Sequence, residues 1–305
     1  SAMITRNADA FFSFAKTLDT QFSPAVANAV FLVSPIGFAL AEQSACDNRY
    51  MKMEQAVDQQ QAIMEHQHLQ SKLRAHCPVI CFPGDSLMPD SVFPNNVFAT
   101  ANGKLIIGHM RYPIRQQEAL RTDIRRFLTS VAGYQEIDLS TQPGVCELTG
   151  SLIIDRARGI GFCGLSERCD EQGARAMHEA FGLRATFIFD LAETEYHTNV
   201  VLSVLASRAI VIAPSGFKDE AVANAISAFY SPNVVELSDS QKSDYAGNCI
   251  ALSNQMICMS QLAKESLTVE QIYQFQQMDF MVDGIAMPML EKAGGSLRCC
   301  VAELY

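Results

Sequence analysis

Asn96, Glu147, His197, Asn248 and Cys299 follow one another at steps of 51, 50, 51 and 51 residues. A step that constant marks a repeat. Each stands beside small or β-prone neighbours, so two amides, a carboxylate, an imidazole and a thiol can converge on one axis from equivalent ends of five similar units. The last three form a nucleophilic set. A free thiol with a pKa of about 8.5 is mostly protonated at neutral pH and needs a base or a nearby cation to attack. His197 can serve as that base. Glu147 enters an apolar stretch where an unpaired charge is costly, and an imidazole that it orients and stabilises in the charged form is a fitting partner. Taken singly, Cys299 reads as a packing thiol and His197 as a structural histidine; the common spacing argues for a site.

The elements that must position these residues follow the same period. Short, apolar, β-branched runs lie at 29–33, 91–100, 104–109, 151–154, 159–164, 199–204, 209–213, 249–251, 255–258 and 298–303. Helical patterns fall at 53–76, 116–131, 172–181, 218–229, 259–265 and 269–277. The unit reads as two adjacent strands, a helix and a returning strand, repeated about five times. The run 298–303 places Cys299 and Cys300 on a strand start after Gly294 and Gly295, with their sulfurs on opposite faces.

Length and composition set the frame. A chain of 305 residues that is 49% hydrophobic can bury a large core. Its formal charge of -10 gives no basic field for nucleic acid or anionic lipid, and neither is expected as a partner. The ten cysteines are scattered through apolar segments with no C-x-x-C pair, which points to reduced thiols and a cytoplasmic protein. Ser1 and Ala2 ahead of Met3 read as an expression scar, and 6–18 is an amphipathic stretch too short and polar for a signal peptide or membrane span. The expected organisation is therefore a scar and N-terminal extension over 1–25 and a single catalytic domain over 26–305. His66, His68, His76, His109 and His178 lack ligand spacing, so no metal is expected. Ser203, Ser215 and Ser260 lack a nucleophile-elbow context.

Together the segments resemble the amidinotransferase, or guanidine-modifying, superfamily, with the bacterial citrulline-utilisation hydrolase group the most similar. That group carries D-x-V-F-P-N-N-W-F-S-T, L-E-G-T-G-S, Y-H-T-N-V, A-G-N and G-G-G-S-A-R-C-M-L-A-E. Here residues 90–100 read DSVFPNNVFAT, 147–151 ELTGS, 196–200 YHTNV, 246–248 AGN and 294–303 GGSLRCCVAE. The resemblance implies an α/β fold of the pentein type, a five-bladed propeller with pseudo-fivefold symmetry and a site in its central channel. It also implies Cys299, His197 and Glu147 as catalytic residues, with no organic cofactor. Asp90, Asn95, Asn96, Asn248 and Arg298 are the expected substrate contacts.

In relatives that act on guanidinium groups, the positions of Asn95 and Asn96 are commonly carboxylates, which pair with a planar cation. Two neutral amides favour a neutral ureido group such as that of citrulline. The expected reaction hydrolyses its C–N bond through an S-carbamoyl adduct, giving ornithine, ammonia and carbon dioxide. Where the group has M-V-R-P, residues 32–35 read LVSP, so Ser34 replaces an arginine able to bind a substrate carboxylate. Leu148, Val97 and Ala293 are further departures. Arg111 and Arg115 are replacement candidates, though both are expected on a loop or helix surface. Two other readings stay open: guanidino chemistry on arginine-like compounds or a protein side chain, by deimination or amidino transfer, and a non-catalytic pentein that binds ligand. Homo-oligomerisation is also left open.

Overall fold

Five small sheets carry the repeat in the computed structural model, which describes residues 3–53 and 55–305. Ser1 and Ala2, read as a scar, lie outside the described residues. The strands begin with β1 (Met3–Thr5), β2 (Ala29–Val33), β3 (Val79–Phe82), β4 (Phe98–Ala101), β5 (Lys104–Ile107) and β6 (Gln135–Asp138). They continue with β7 (Leu152–Asp155), β8 (Ile160–Leu165), β9 (Ala185–Asp190), β10 (Leu202–Leu205) and β11 (Ala209–Ile212). The last are β12 (Val234–Glu236), β13 (Ile250–Ala251), β14 (Met256–Ser260), β15 (Met281–Ile285) and β16 (Ala302–Leu304).

The sheets run β4-β5-β6, β7-β8-β9, β10-β11-β12, β13-β14-β15 and β16-β2-β3. In each, the first strand is antiparallel to the second and the second parallel to the third. A parallel pair needs a crossover, and a helical segment supplies it every time. Glu171–Phe181, Glu220–Tyr230 and Val269–Gln277 are three of these helices, and Asp170, Asp219 and Thr268 cap their exposed N–H groups. The fifth sheet joins β16 to β2, so the two ends of the chain close the ring. Contacts of β7 with β10, β10 with β13 and β16 with β4 put the first strand of each sheet toward the centre. This is the five-bladed α/β propeller that the resemblance implied.

The returning strands β3, β6, β9, β12 and β15 were expected as part of the unit but not placed. They are the outer strands, and one such as β6, with the sequence QEID, is largely exposed and carries no apolar run. Three expected strand starts are corrected: the run 199–204 becomes a strand only from Leu202, after a 3-10 turn at Thr198–Val200. The stretch 91–100 becomes a strand only from Phe98, after a 3-10 turn at Pro94–Asn96; 298–303 becomes a helical turn at Leu297–Cys300 and then β16. Cys299 and Cys300 therefore sit on one helical turn and are not set apart by strand alternation.

The segment read as an N-terminal extension supplies β1, parallel to β9, and the helix Ala8–Ala15. Phe11 from that helix is fully buried, stacked on Phe187 at 5.3 Å and edge-on to Phe162 at 5.6 Å. Among the described residues no helix is long and apolar enough to cross a membrane. Truncating a buried phenylalanine costs about 3–5 kcal/mol. Phe11→Ala is expected to lower the unfolding free energy by that amount in urea titrations; an unchanged midpoint would mean that this helix does not pack on the propeller in solution.

Candidate active site

Each inner strand is preceded by a tight turn, and the turns deliver the polar residues. Asn96 ends the turn Pro94–Asn96 before β4, Glu147 caps Leu148–Ser151 before β7, His197 caps Thr198–Val200 before β10, and Cys299 lies within Leu297–Cys300 before β16. Asn248 occupies the matching place before β13. Because the inner strands gather at the centre, these starts share one end of the channel. Small residues permit the approach. A Cβ on Gly150 would fall 2.6 Å from Asn96 Nδ2 and 2.9 Å from His197 Cε1, so no larger residue fits between them. At Leu148, where the similar group has glycine, the backbone adopts a φ of +38° in the left-handed region.

Glu147 is completely buried and accepts from three sides. His197 Nε2 is 2.7 Å from Oε1, Arg168 Nη1 is 3.2 Å from the same oxygen, and the main-chain N–H of Arg111 donates to Oε2 at 3.0 Å. Burial pushes the carboxyl up, but Arg168, His197 and Arg115 together bring it down to about 2. An ionised carboxylate only accepts, so the His197 Nε2 must carry the hydrogen. The other ring nitrogen, Nδ1, is buried with no partner and is the free basic position. Burial holds the imidazole below its ordinary value despite Glu147, which keeps it neutral at pH 7.

Cys299 Sγ is met by the side-chain amides of Asn248 at 3.6 Å and Asn199 at 3.7 Å. Burial raises the thiol above its usual value, against the pull of those amides and of the Arg115 charge. The resting pair is thus a thiol and a neutral imidazole. Cys299, His197, Asn96, Asp90, Arg115 and Arg168 line one narrow cavity. Asp90 is buried, accepts from Ser44 Oγ at 2.6 Å through Oδ2, and leaves Oδ1 without a partner. Burial raises its pKa, opposed by Arg115 and Ser44. Residues 44–51 close over this end: Asn48 donates to the Gly294 carbonyl, and Asp47 takes a two-pronged contact from Arg168 at 2.7 and 2.9 Å.

The structure separates the expected substrate contacts. Asp90 and Asn96 line the cavity. Asn95 turns its amide to the Val301 carbonyl at 3.2 Å, and Asn248 holds both Sγ and the N–H of Arg298. Arg298 points its guanidinium away from the cavity and pairs with Glu303 at 2.6 Å. Arg115, expected on a surface, is buried: it pairs with Glu118 and donates to Asn96 Oδ1 at 2.8 Å and to the Phe93 carbonyl. Its charged neighbours in sequence hid that, because its partners come from the turn before β4. Arg168 and Asn199 went unnoticed. Asn199 lay in the matched YHTNV segment, whereas nothing about the spacing of Arg168 marked it.

Residues 34–305 match the family described as N,N dimethylarginine dimethylhydrolase, eukaryotic. An N(G),N(G)-dimethylarginine dimethylaminohydrolase of Mycobacterium tuberculosis (strain ATCC 25618 / H37Rv) is 25% identical over 262 residues, spanning 85% of this chain and 80% of that one. Among solved structures, the N-terminal domain of ArgZ, an arginine dihydrolase of the cyanobacterial ornithine-ammonia cycle, superimposes with a TM-score of 0.78 at 16% identity, covering 90% of this chain and 97% of that domain. A dimethylarginine dimethylaminohydrolase in an adduct with S-methyl-L-thiocitrulline superimposes with a TM-score of 0.69 at 19% identity, over 91% of this chain and 100% of the other.

Two outcomes follow from the proton positions. Alkylation of Cys299 by iodoacetamide, followed by peptide mapping, is expected to accelerate only above the ordinary thiol range of about pH 8.5. Asn248→Ala, which removes a donor to Sγ, moves that rise to still higher pH; a plateau reached below pH 7 would contradict this protonation. Glu147, depressed to about 2 when folded, contributes stability that is full above its unfolded value of about 4.3 and is lost as pH falls toward 2. Urea midpoints of Glu147→Gln should therefore fall less between those pH values than those of the parent protein.

Proposed function

The chain belongs to the N,N dimethylarginine dimethylhydrolase family, and on that footing we propose that it is a cysteine hydrolase acting on a C–N bond of a small ureido or guanidino amino acid. The observation that carries this reading is the Glu147–His197 contact of 2.7 Å, which leaves a basic Nδ1 in the same cavity as the Cys299 thiol. In this reading His197 Nδ1 takes the thiol proton as Sγ bonds to the central carbon. The tetrahedral adduct collapses, and the imidazolium returns the proton to the departing nitrogen. A water, deprotonated by His197, then attacks the S-carbamoyl carbon and releases Cys299. Glu147 holds the ring and stabilises the imidazolium without itself taking the proton. No step needs a metal or organic cofactor.

The finer assignment is a ureido group, as in citrulline. Expulsion of ammonia and hydrolysis of the thiocarbamate leave a carbamate that loses carbon dioxide to give ornithine, with one water consumed in total. Support comes from Asn96, whose Oδ1 is taken by Arg115 and whose Nδ2 is a donor suited to a ureido oxygen. Asp90 Oδ1 suits a substrate N–H or amino group. Arg111, whose main chain meets Glu147 and whose half-exposed guanidinium has only a 3.5 Å contact with exposed Glu167, is the arginine we assign to the substrate carboxylate. A guanidino substrate is the second reading, favoured by the activities for which the similar proteins are named.

The deciding assay offers citrulline, arginine, agmatine and N-methylated arginines, with Cys299→Ala as control. Ammonia and ornithine from citrulline, lost in the variant, support the ureido assignment; amine release from a methylated arginine overturns it and keeps the mechanism. Silence on every compound would leave a binding role. Losing a charge-assisted contact of about 1.5–3 kcal/mol, Arg111→Gln should raise KM by about 10- to 100-fold with kcat nearly unchanged.

A further inference from the structure

The inner strands have a second end, and it too is polar. Past the C-terminal ends of β7, β10, β13 and β16 lies a small, narrow recess lined by Thr149, Arg156, Ser207, Arg298, Glu303 and Tyr305. It shares Ala25, Ala206 and Ser207 with an open depression on the surface, which gives it an entrance. None of its lining residues belongs to the cavity that holds Cys299.

Arg156 is 7% exposed. Its Nη1 donates to the Thr100 carbonyl at 2.8 Å, and its guanidinium lies 3.9 Å from the centre of the Tyr305 ring. Among the described residues no carboxylate lies within ion-pair distance of it. The nearest acid lining the cavity, Glu303, is committed to Arg298 at 2.6 Å and to the Tyr305 hydroxyl at 3.2 Å. Two guanidiniums thus face one carboxylate in a recess largely shielded from water. A buried charge without a partner costs several kcal/mol, and proteins rarely leave one uncompensated. The strain is visible in burial, which pulls Arg156 below its ordinary value, with the Arg298 charge adding to the effect against Tyr305 and Glu303.

We propose that this cavity binds a small oxyanion, a phosphate or a carboxylate, held by the guanidinium forks of Arg156 and Arg298. A fork of parallel N–H donors matches two oxygens of such an anion, and the surplus positive charge matches its sign. The size of the recess limits the ligand to a few heavy atoms. The Ser207 hydroxyl, which accepts from the Ala157 N–H and keeps its own hydrogen to donate, can satisfy a further oxygen. None of the side chains around this recess lines the cavity that holds Cys299, so the two sites are tested separately.

The test titrates the intact protein with inorganic phosphate and, separately, succinate, each against sodium chloride of equal ionic strength, by calorimetry and thermal unfolding. Saturable heat and a rise in Tm with one of the two anions are expected, and the responding anion identifies the source. Arg156→Gln should abolish the saturable component while unfolding at a temperature no lower than the parent protein without anion, because it removes an unpaired charge. Arg298→Gln should weaken binding at least tenfold and serves if the first variant fails to fold. Neither anion exceeding chloride, or folded Arg156→Gln and Arg298→Gln that bind like the parent, would overturn the proposal.

Discussion

A fully buried carboxylate that stays ionised is the constraint around which this centre is organised. Glu147 sits at the start of β7 with no exposure, and water can offer it nothing. Three separate parts of the chain therefore have to come to it: Arg168 from the loop after β8, the main chain of Arg111 from beyond β5, and His197 from the turn before β10. Arg168 needs its own partners in turn, and it reaches Asp47 and the Ser44 carbonyl in the segment that closes over the cavity. One desolvated charge thus ties three blades and the covering segment into a single network, in which a change to any member leaves another charge exposed to a low dielectric.

That network also decides the chemistry available to Cys299. Arg168 is spent on Glu147 and Asp47, and Arg115 on Glu118 and Asn96, so neither cation stands beside the sulfur as a permanent counter-ion. The Asn199 and Asn248 amides offer weaker donors. A neutral thiol beside a neutral imidazole is the result, and the proton must move as the bond to carbon forms. Such a site is quiet toward small electrophiles at rest and is activated by whatever organises the proton transfer. Among the ten cysteines of the chain, its place in the cavity and the Nδ1 base, and not thiolate content, set Cys299 apart.

How much of this was legible follows from which interactions are local. The blade order was, because each unit repeats a short apolar pair of strands and a capped crossover helix at a fixed period. The five polar positions were, because they share that period. The turns at Pro94–Asn96 and Leu297–Cys300 were misread as strand starts, since their Val, Phe and Leu neighbours are β-prone and the turn is imposed by packing at the channel mouth. Arg115 and Arg168 carried no signal because their roles are set by partners distant in the chain, Asn96 and the Phe93 carbonyl for the first and Glu147 and Asp47 for the second. Arg298 stood in a matched segment beside the nucleophile and was expected to face substrate with it, yet successive residues on one helical turn diverge, and its side chain runs the other way.

This divergence is a property of the propeller as much as of that turn. Inner strands that all run in one sense place every strand start at one end of the channel and every strand end at the other. The starts carry Asn96, Glu147, His197, Asn248 and Cys299, while the ends carry Arg156, Ser207 and Glu303. Between them the strands are short, only two to four residues in β13, β10, β7 and β16, so the polar layers lie close and the apolar wall separating them is thin. A long side chain such as Arg298 can begin in one layer and end near the other. Its N–H donates to Asn248 Oδ1, and Asn248 in turn donates to the sulfur. The same residue therefore has its backbone in the thiol's hydrogen-bond network and its charge at the far end, a direct physical connection between the two ends of the channel.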